Sequence, residues 1–334
     1  MQNSKALDWL LEIDEENPGI RYFALQDVLG SPSSDNQVRE ARSAIMTSGP
    51  VPKILQAQEP DGFWVNRGGG YSPKYKANAW SLLFLAELGA DPENEQIQLG
   101  CEYYLSNSVA KNGAFSVYRS PVPSGAFHCL NGNMIFALQR LGYGEHPIVG
   151  SARDWLVNLI LEQQEINDAD GDGFPSFSCR INEGKPCAWG ANKVVRALLE
   201  APESAVTADL ECALEAAAAF LLSRDPAAAD YPYTGRVSST WFKLGFPLSY
   251  WSDVLETVSN LAALGYGSDP RLRSGLEWII GKRDQNERWR LENSLNGKMW
   301  VDIETKKEPS KWITLRALRV MKAVGLYAPR GRKG

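Results

Sequence analysis

An apolar, helix-periodic run that stops at an aliphatic residue and a glycine recurs along this 334-residue chain. Leu88-Gly89, Leu141-Gly142, Leu264-Gly265 and Val324-Gly325 each close such a run. Each glycine sits where a helix ends in a left-handed residue. A short turn with Asp or Pro follows every time: ADPEN, YGEHP, YGSDP and LYAP. FHCLNGNMIFALQRL, Phe127–Leu141, is the clearest copy, and KANAWSLLFLAELG, Lys76–Gly89, precedes it. CAWGANKVVRALL at Cys187–Leu199, YWSDVLETVSNLAALG at Tyr250–Gly265 and KWITLRALRVMKAVG at Lys311–Gly325 follow. NPGIRYFALQDVLG at Asn17–Gly30 makes a sixth. Helix starts near residues 75, 127, 187, 248 and 310 are spaced by roughly 52 to 62 residues. A period of that size belongs to stacked repeats, because no single unit buries its own apolar face.

A second helix set alternates with the first. Gly100–Tyr104, Ala152–Leu156, Ala217–Leu221 and Gly275–Ile279 share a small residue followed three positions later by an aromatic or aliphatic pair. In ARDWLVNLILEQQ the residues Trp155, Leu156, Ile160 and Leu161 fall on one helical face. Each of these helices runs into a polar turn carrying glycine and an aromatic, or a variant of one: QEPDGFW at Gln58–Trp64, NGAF at Asn112–Phe115, DGDGF at Asp170–Phe174 and NERW at Asn286–Trp289. The pattern predicts an all-α chain, an α/α toroid of about six helix pairs in concentric inner and outer rings. One domain spans 1–334: irregular N-terminal helices over 1–48, with an extra helix inserted in Ser31–Gly49, a repeat core over 49–325 and a basic tail over 326–334.

Composition bounds the function. Hydrophobic residues at 44% and charged ones at 22% suit a globular protein. A net charge of −5 leaves no basic face for nucleic acid. No run approaches the ~20 apolar residues of a membrane helix, and no secretion signal is visible at the N-terminus, so a cytoplasmic protein without stable membrane insertion is expected. Five cysteines in such a chain read as thiols. The spacing does not specify an oligomeric state.

Gln58-Glu-Pro-Asp-Gly62-Phe-Trp64 matches QxxxGxW, and on it the chain resembles the squalene–hopene and related triterpene cyclases. It is similar also to the β subunits of protein prenyltransferases, and most of all to short bacterial proteins labelled squalene cyclase-like. The resemblance spans roughly Pro50 to Gly325; Gly113-Ala-Phe115, Gly171-Asp-Gly173-Phe174 and Glu287-Arg-Trp289 are degenerate copies. It implies the toroid and an aromatic-lined central cavity for a prenyl- or terpene-like substrate.

In such a ring the inner helices run parallel, and their N-termini make one mouth electropositive. Aligning the copies places Lys76, Cys129, Cys187, Ser252 and Trp312 at equivalent positions, with His128 and Asp253 one residue to either side. Cys179 lies in the loop leading to the same mouth. Cys129, Cys179 and Cys187 with His128 or Asp253 compose a candidate zinc set. Protein prenyltransferases and lanthionine cyclases hold zinc with related residue types. Buried inert thiols and a metal-free reactive thiol remain open beside zinc. Tyr75, Trp80, Trp189, Tyr250, Trp251 and Trp312, with Lys311, are the candidate substrate contacts.

Asp168-Ala-Asp170-Gly-Asp172-Gly173 has the order of half a calcium loop, but the twelfth position is Cys179 where a bidentate Glu is needed. Calcium at Asp168, Asp170 and Asp172 therefore competes with an acidic turn. DADGD is not the DxDD motif of class II terpene cyclases. In Trp300-Val-Asp302-Ile-Glu304 the two acids would share a face of an extended strand, and Asp253, Asp302 and Glu304 are the candidate acids and bases. The leading expectation is an enzyme on a small prenyl-like apolar substrate, with zinc as Lewis acid or thiolate activator. The alternatives are a non-catalytic toroid binding a hydrophobic ligand or protein, and a polysaccharide lyase or glycosidase using Asp253 with Asp302 or Glu304.

Overall fold

A computed structural model describes residues 4–170, 177–231 and 237–328, with backbone alone over 163–170. In chain order the helices are α1 (Lys5–Leu11), α2 (Gly19–Phe23), α3 (Asn36–Thr47), α4 (Pro50–Gln56), α5 (Asn78–Leu88), α6 (Glu95–Asn107) and α7 (His128–Leu138). They continue as α8 (Pro147–Asp170), α9 (Ala188–Leu199), α10 (Ala208–Leu222), α11 (Val254–Ala263), α12 (Arg273–Gly281) and α13 (Lys311–Ala323). A wider π-helical turn extends α2 over Ala24–Val28 and α7 over Gln139–Tyr143. The strands β1 (Trp289–Arg290) and β2 (Pro309–Ser310) pair antiparallel, Trp289 opposite Ser310.

The chain is an all-α toroid. Helices α5, α7, α9, α11 and α13 pack each against the next, and α13 packs against α2. The ring closes where α2 meets α5: a Cβ on Gly19 would stand 2.7 Å from the Leu88 carbonyl oxygen, and one on Gly89 would stand 3.0 Å from the Phe23 ring. Helices α3, α6, α8, α10 and α12 lie outside, each against an inner neighbour. Inner helices α5 and α7 are buried nearly all round, whereas outer α3 buries only Val38, Ala41 and Ile45, as expected for a ring within a ring. The helix read into Ser31–Gly49 is α3. No helix among the described residues is long and apolar enough to cross a membrane.

The closing glycines behave as their position requires: Gly89, Gly142, Gly265 and Gly325 have φ between 74 and 91°. The QxxxGxW turn joins three elements. Gln58 Nε2 donates to the Gly62 carbonyl at 3.1 Å and, on α6, to the Gln96 carbonyl at 2.9 Å. Gly62, at φ 91°, passes so close to Leu99 that a Cβ would stand 2.6 Å from its carbonyl oxygen. Trp64 is fully buried; its Nε1 donates to the Ile54 carbonyl on α4 and its backbone N–H to Asn78 Oδ1 on α5. Two degenerate copies repeat the bond to the inner helix, and the third, Gly171–Phe174, lies outside the described residues. The Phe115 N–H donates to Asn131 Oδ1 at 2.7 Å and the Trp289 N–H to Thr314 Oγ1 at 3.1 Å. A buried acceptor two residues past Lys76, Cys129 and Trp312 thus receives the aromatic turn.

Two expectations are corrected. The fifth inner helix starts at Val254, not near 248, because Asp253 is its N-cap and accepts from the Glu256 N–H at 2.7 Å. Asp302 and Glu304 do not share a strand face. Residues 300, 301 and 304 are bends, Asp302 is exposed, and a positive φ of 36° at Glu304 turns its side chain inward.

Candidate functional site

At one mouth the amino ends of α7 and α9 bring the cysteines together. Cys187 is the N-cap residue of α9, and Cys179 faces it across a short hairpin, where the Cys187 N–H donates to the Phe177 carbonyl at 2.9 Å. The Cys187 thiol donates to the Cys179 sulfur, which together with the Asn182 and Ile181 N–H groups lowers Cys179 to about 6 against the opposing effect of burial. The same bond and burial push Cys187 well above the ordinary thiol range. Burial raises Cys129 to about 11. His128 points elsewhere. Its ring meets Phe177 edge-on at 5.4 Å and Trp155 of α8 at 6.3 Å, its Nε2 is buried without a partner, and burial lowers it to about 4. Adjacent residues on a helix diverge by about 100°, so His128 and Cys129 face different neighbours. Among the described residues no group of three or more His, Cys, Asp or Glu side chains is disposed to hold a metal ion. The described residues do not assemble the candidate zinc set. The calcium candidates Asp168, Asp170 and Asp172 lie outside the described side chains.

The aromatic candidates gather at this same mouth and fill it. Trp80 lies 5.0 Å from Tyr71, 5.1 Å from Tyr75 and 6.2 Å from Tyr250, whose ring is 6.1 Å from Trp189. A void of about 10 Å³ remains among Tyr71, Trp80, Cys129 and Tyr250, room for about one water. Trp251 packs over Gly245, where a Cβ would stand 2.4 Å from its ring. Lys311 turns outward to Asp14 at 3.1 Å and Glu12 at 3.5 Å. Trp312 alone of these residues lines the axial cavity described below; it stacks on Phe246 at 4.2 Å and donates to Asn17 Oδ1.

The three candidate acids each hold backbone. Asp253, fully buried, caps α11, accepts from the Gly245 N–H and receives Arg316 on both oxygens at 3.0 Å. Asp302 accepts from the Gly297 N–H at 2.6 Å. Glu304 accepts from the Ser310 hydroxyl and from the Lys311 and Trp312 N–H groups at the start of α13. None of the three is among the residues lining the axial cavity, so Asp253 forms no carboxylate pair with Asp302 or Glu304 there.

Burial pushes the Glu304 carboxyl up to about 7 from an ordinary 4.5, although the Ser310, Lys311 and Trp312 donors oppose it. The folded chain then binds this proton more tightly than the unfolded chain does. Its stabilising contribution is complete below the unfolded value and is lost as pH rises through the folded one. Between about pH 4.5 and about pH 7.5, wild type should therefore lose about 3 kcal/mol relative to Glu304→Gln. Urea unfolding of both proteins at the two pH values measures the difference.

The opposite half of the ring encloses a cavity of about 490 Å³ to which every inner helix contributes. Phe23 and Asp27 come from α2 and its extension, Glu87 from α5, Phe136 and Arg140 from α7 and its extension, Arg196 and Glu200 from the end of α9. Glu256 and Asn260 come from α11, and Trp312, Arg316 and Arg319 from α13. Arg140 and Asp27, with side chains 44% and 39% exposed, form the rim; Arg196 and Glu87, at 11% and 10%, stand inside it.

Charges line this cavity in pairs. Arg140 meets Glu200 at 2.6 Å, Arg196 meets Glu87, and Arg319 meets Asp27. Lys193, behind the wall and fully buried, places Nζ 2.6 and 2.5 Å from the Glu256 oxygens. Burial lowers the Lys193 ammonium, and Glu256 opposes that shift. Cations near helix carboxyl ends complement the helix dipole, which suits Arg140 and Arg196, each in the last turn of its helical segment. Arg196 is the more deeply placed of the two. That guanidinium lies 3.4 Å over the Phe136 ring, spends Nη2 on Glu87 and leaves Nη1 buried without an acceptor.

No protein-family model matches the chain, and no curated protein matches it. Solved structures do. The apo type II terpene cyclase MstE from Scytonema is 16% identical over 97% of this chain and 97% of that one, with a TM-score of 0.48. A protein from Actinoplanes is 15% identical over 96% and 98%, at 0.46. The GH76 α-mannanase BT2949 of Bacteroides thetaiotaomicron is 14% identical over 75% and 68%, at 0.37. The likeness is one of fold. What the axial cavity does follows from its own residues.

The sequence signal that would have found this cavity is at the other end of each repeat. Glu87, Arg140 and Ala263 each precede a closing Leu-Gly pair and line the cavity, as do Phe136 and Ser259 four residues before the latter two.

Proposed function

We propose that the protein is an enzyme whose substrate is small and amphipathic: a prenyl- or terpene-like hydrocarbon carrying a carboxylate or similar anion, taken up in the axial cavity. The observation that carries this reading is Arg196 Nη1, a buried donor without an acceptor in a cavity reached by all six inner helices. A buried guanidinium donor left unpaired is costly, and a bound anion supplies the missing acceptor through a charge-assisted hydrogen bond. The faces of Phe23, Phe246 and Trp312 offer apolar wall for the hydrocarbon, and the volume lies within the roughly 300–1,000 Å³ typical of small-molecule sites.

Proton transfer is the chemistry these residues supply. Asp27, Glu87 and Glu200 each face an arginine, which gives up no proton. Glu256 faces a lysine whose ammonium is weakened by burial. Among the described cavity-lining acids it alone pairs with a lysine, and on this reading it serves as general acid and base. Isomerisation or cyclisation of an alkene needs only such a group and leaves the molecular formula unchanged.

The test is incubation with a series of prenyl carboxylates in deuterated buffer. A product isomeric with its substrate and carrying solvent deuterium is expected, with kcat/KM for Arg196→Met lower by about 100-fold, of the order set by one charged hydrogen bond. Folded wild-type protein that binds these acids yet neither converts nor labels them would leave a binding protein and remove the enzyme.

A further inference from the structure

We propose that Cys179 and Cys187 are a redox-active dithiol that reacts with small-molecule disulfides and closes reversibly into an intramolecular disulfide. Three features bring the two sulfurs to this chemistry. The hairpin puts them diagonally on one face: Ser178 bridges Pro186 antiparallel, the Cys179 N–H donates to the Lys185 carbonyl at 3.2 Å, and the Cys187 N–H donates to the Phe177 carbonyl at 2.9 Å. The side chains are already in contact, the Cys187 thiol donating to the Cys179 sulfur. Both residues are only half-buried, while Cys187 also borders an apolar void of about 40 Å³ between Trp189, Tyr231 and Trp241.

His128 is turned away from the pair, against Phe177. Cys101 is fully buried in α6 and Cys212 is exposed on α10, so neither belongs to the pair.

The step balances with a small disulfide RSSR as oxidant. The Cys179 sulfur, as thiolate, attacks one sulfur of RSSR; the Cys179–S–SR bond forms and RS⁻ leaves. The Cys187 thiol gives its proton to RS⁻, and its sulfur then attacks Cys179. The ring disulfide forms as the second RS⁻ departs and takes up a proton from water, replacing the one Cys179 gave up when it ionised. Two thiols are oxidised and RSSR is reduced to two RSH.

Full-length protein equilibrated in buffers of graded oxidised-to-reduced glutathione ratio, acid-quenched, alkylated and mapped by mass spectrometry provides the test. Under oxidising buffer a peptide pair joined through Cys179 and Cys187 is expected, disappearing in excess dithiothreitol. Cys187→Ser should stop at a stable glutathione adduct on Cys179, and Cys179→Ser should slow glutathione incorporation at this mouth by at least about tenfold. The wild-type map decides without any variant. Cys179 and Cys187 separately alkylated in the most oxidising buffer, or Cys129 found joined to either of them, would overturn the proposal.

Discussion

Lys193→Met is expected to lower the unfolding free energy by about 3–5 kcal/mol, because it leaves the Glu256 carboxylate charged, buried and unpaired. Both side chains are almost fully buried, at 0% and 2% exposure, and Lys193 Nζ contacts both Glu256 oxygens. The double replacement Lys193→Met with Glu256→Leu removes both charges and should recover to within about 2 kcal/mol of wild type, since apolar substitutes for a buried pair are often neutral or stabilising. Guanidinium unfolding of the two variants measures this. A single variant as stable as the double one would mean that Glu256 is not held in a closed pair. The double variant also separates stability from chemistry: it should fold, keep the Arg196 anion contact and lose turnover.

Asp253→Ala should cost a comparable amount, about 3–5 kcal/mol, by leaving Arg316 without its carboxylate. The loss has distinguishable parts. The cap of α11, in which Asp253 Oδ1 accepts from the Glu256 N–H, is worth about 1 kcal/mol. The rest is the double contact with Arg316 and the bond from the Gly245 N–H. Asp253→Asn keeps an acceptor for the cap and should be the milder variant by about 1 kcal/mol. Arg316 retains the Gly245 carbonyl at 2.7 Å, so neither variant strands the guanidinium completely. Thermal melts of the two side by side check the order; equal losses would assign the whole effect to the ion pair.

The ring was legible because its signals are local and repeated. A glycine at φ near 80° after an apolar run needs no tertiary knowledge, and Gln58, Gly62 and Trp64 bond within one turn and to the two nearest helices. The N-cap role of Asp253 and the inward turn of Glu304 were hidden because both depend on backbone directions that alternating charge does not reveal. The aromatics at the helix starts misdirected the search for a cavity. Trp80, Tyr75, Tyr250 and Trp189 are large enough to fill the narrow end of a ring, so they close the mouth that they were expected to line. The cavity lies where each repeat contributes a few residues of unremarkable type, and only closure of the ring puts Glu87, Arg140, Arg196 and Arg319 around one volume. The meeting of Cys129, Cys179 and Cys187 at one mouth is legible in the repeat register, but the direction of His128 is not, because it follows from packing against Phe177 and Trp155.

The central claim is that the axial cavity holds an amphipathic anion on Arg196. Calorimetric titration with a prenyl carboxylate and with the matching neutral prenyl alcohol, on wild type and on Arg196→Met, tests it most directly. Wild type should bind the acid more tightly than the alcohol by about 10- to 100-fold, as a charged hydrogen bond worth about 1.5–3 kcal/mol implies. Arg196→Met should bind the two alike. Equal affinity of folded wild type for acid and alcohol, or a preference for the acid unchanged in Arg196→Met, would contradict it.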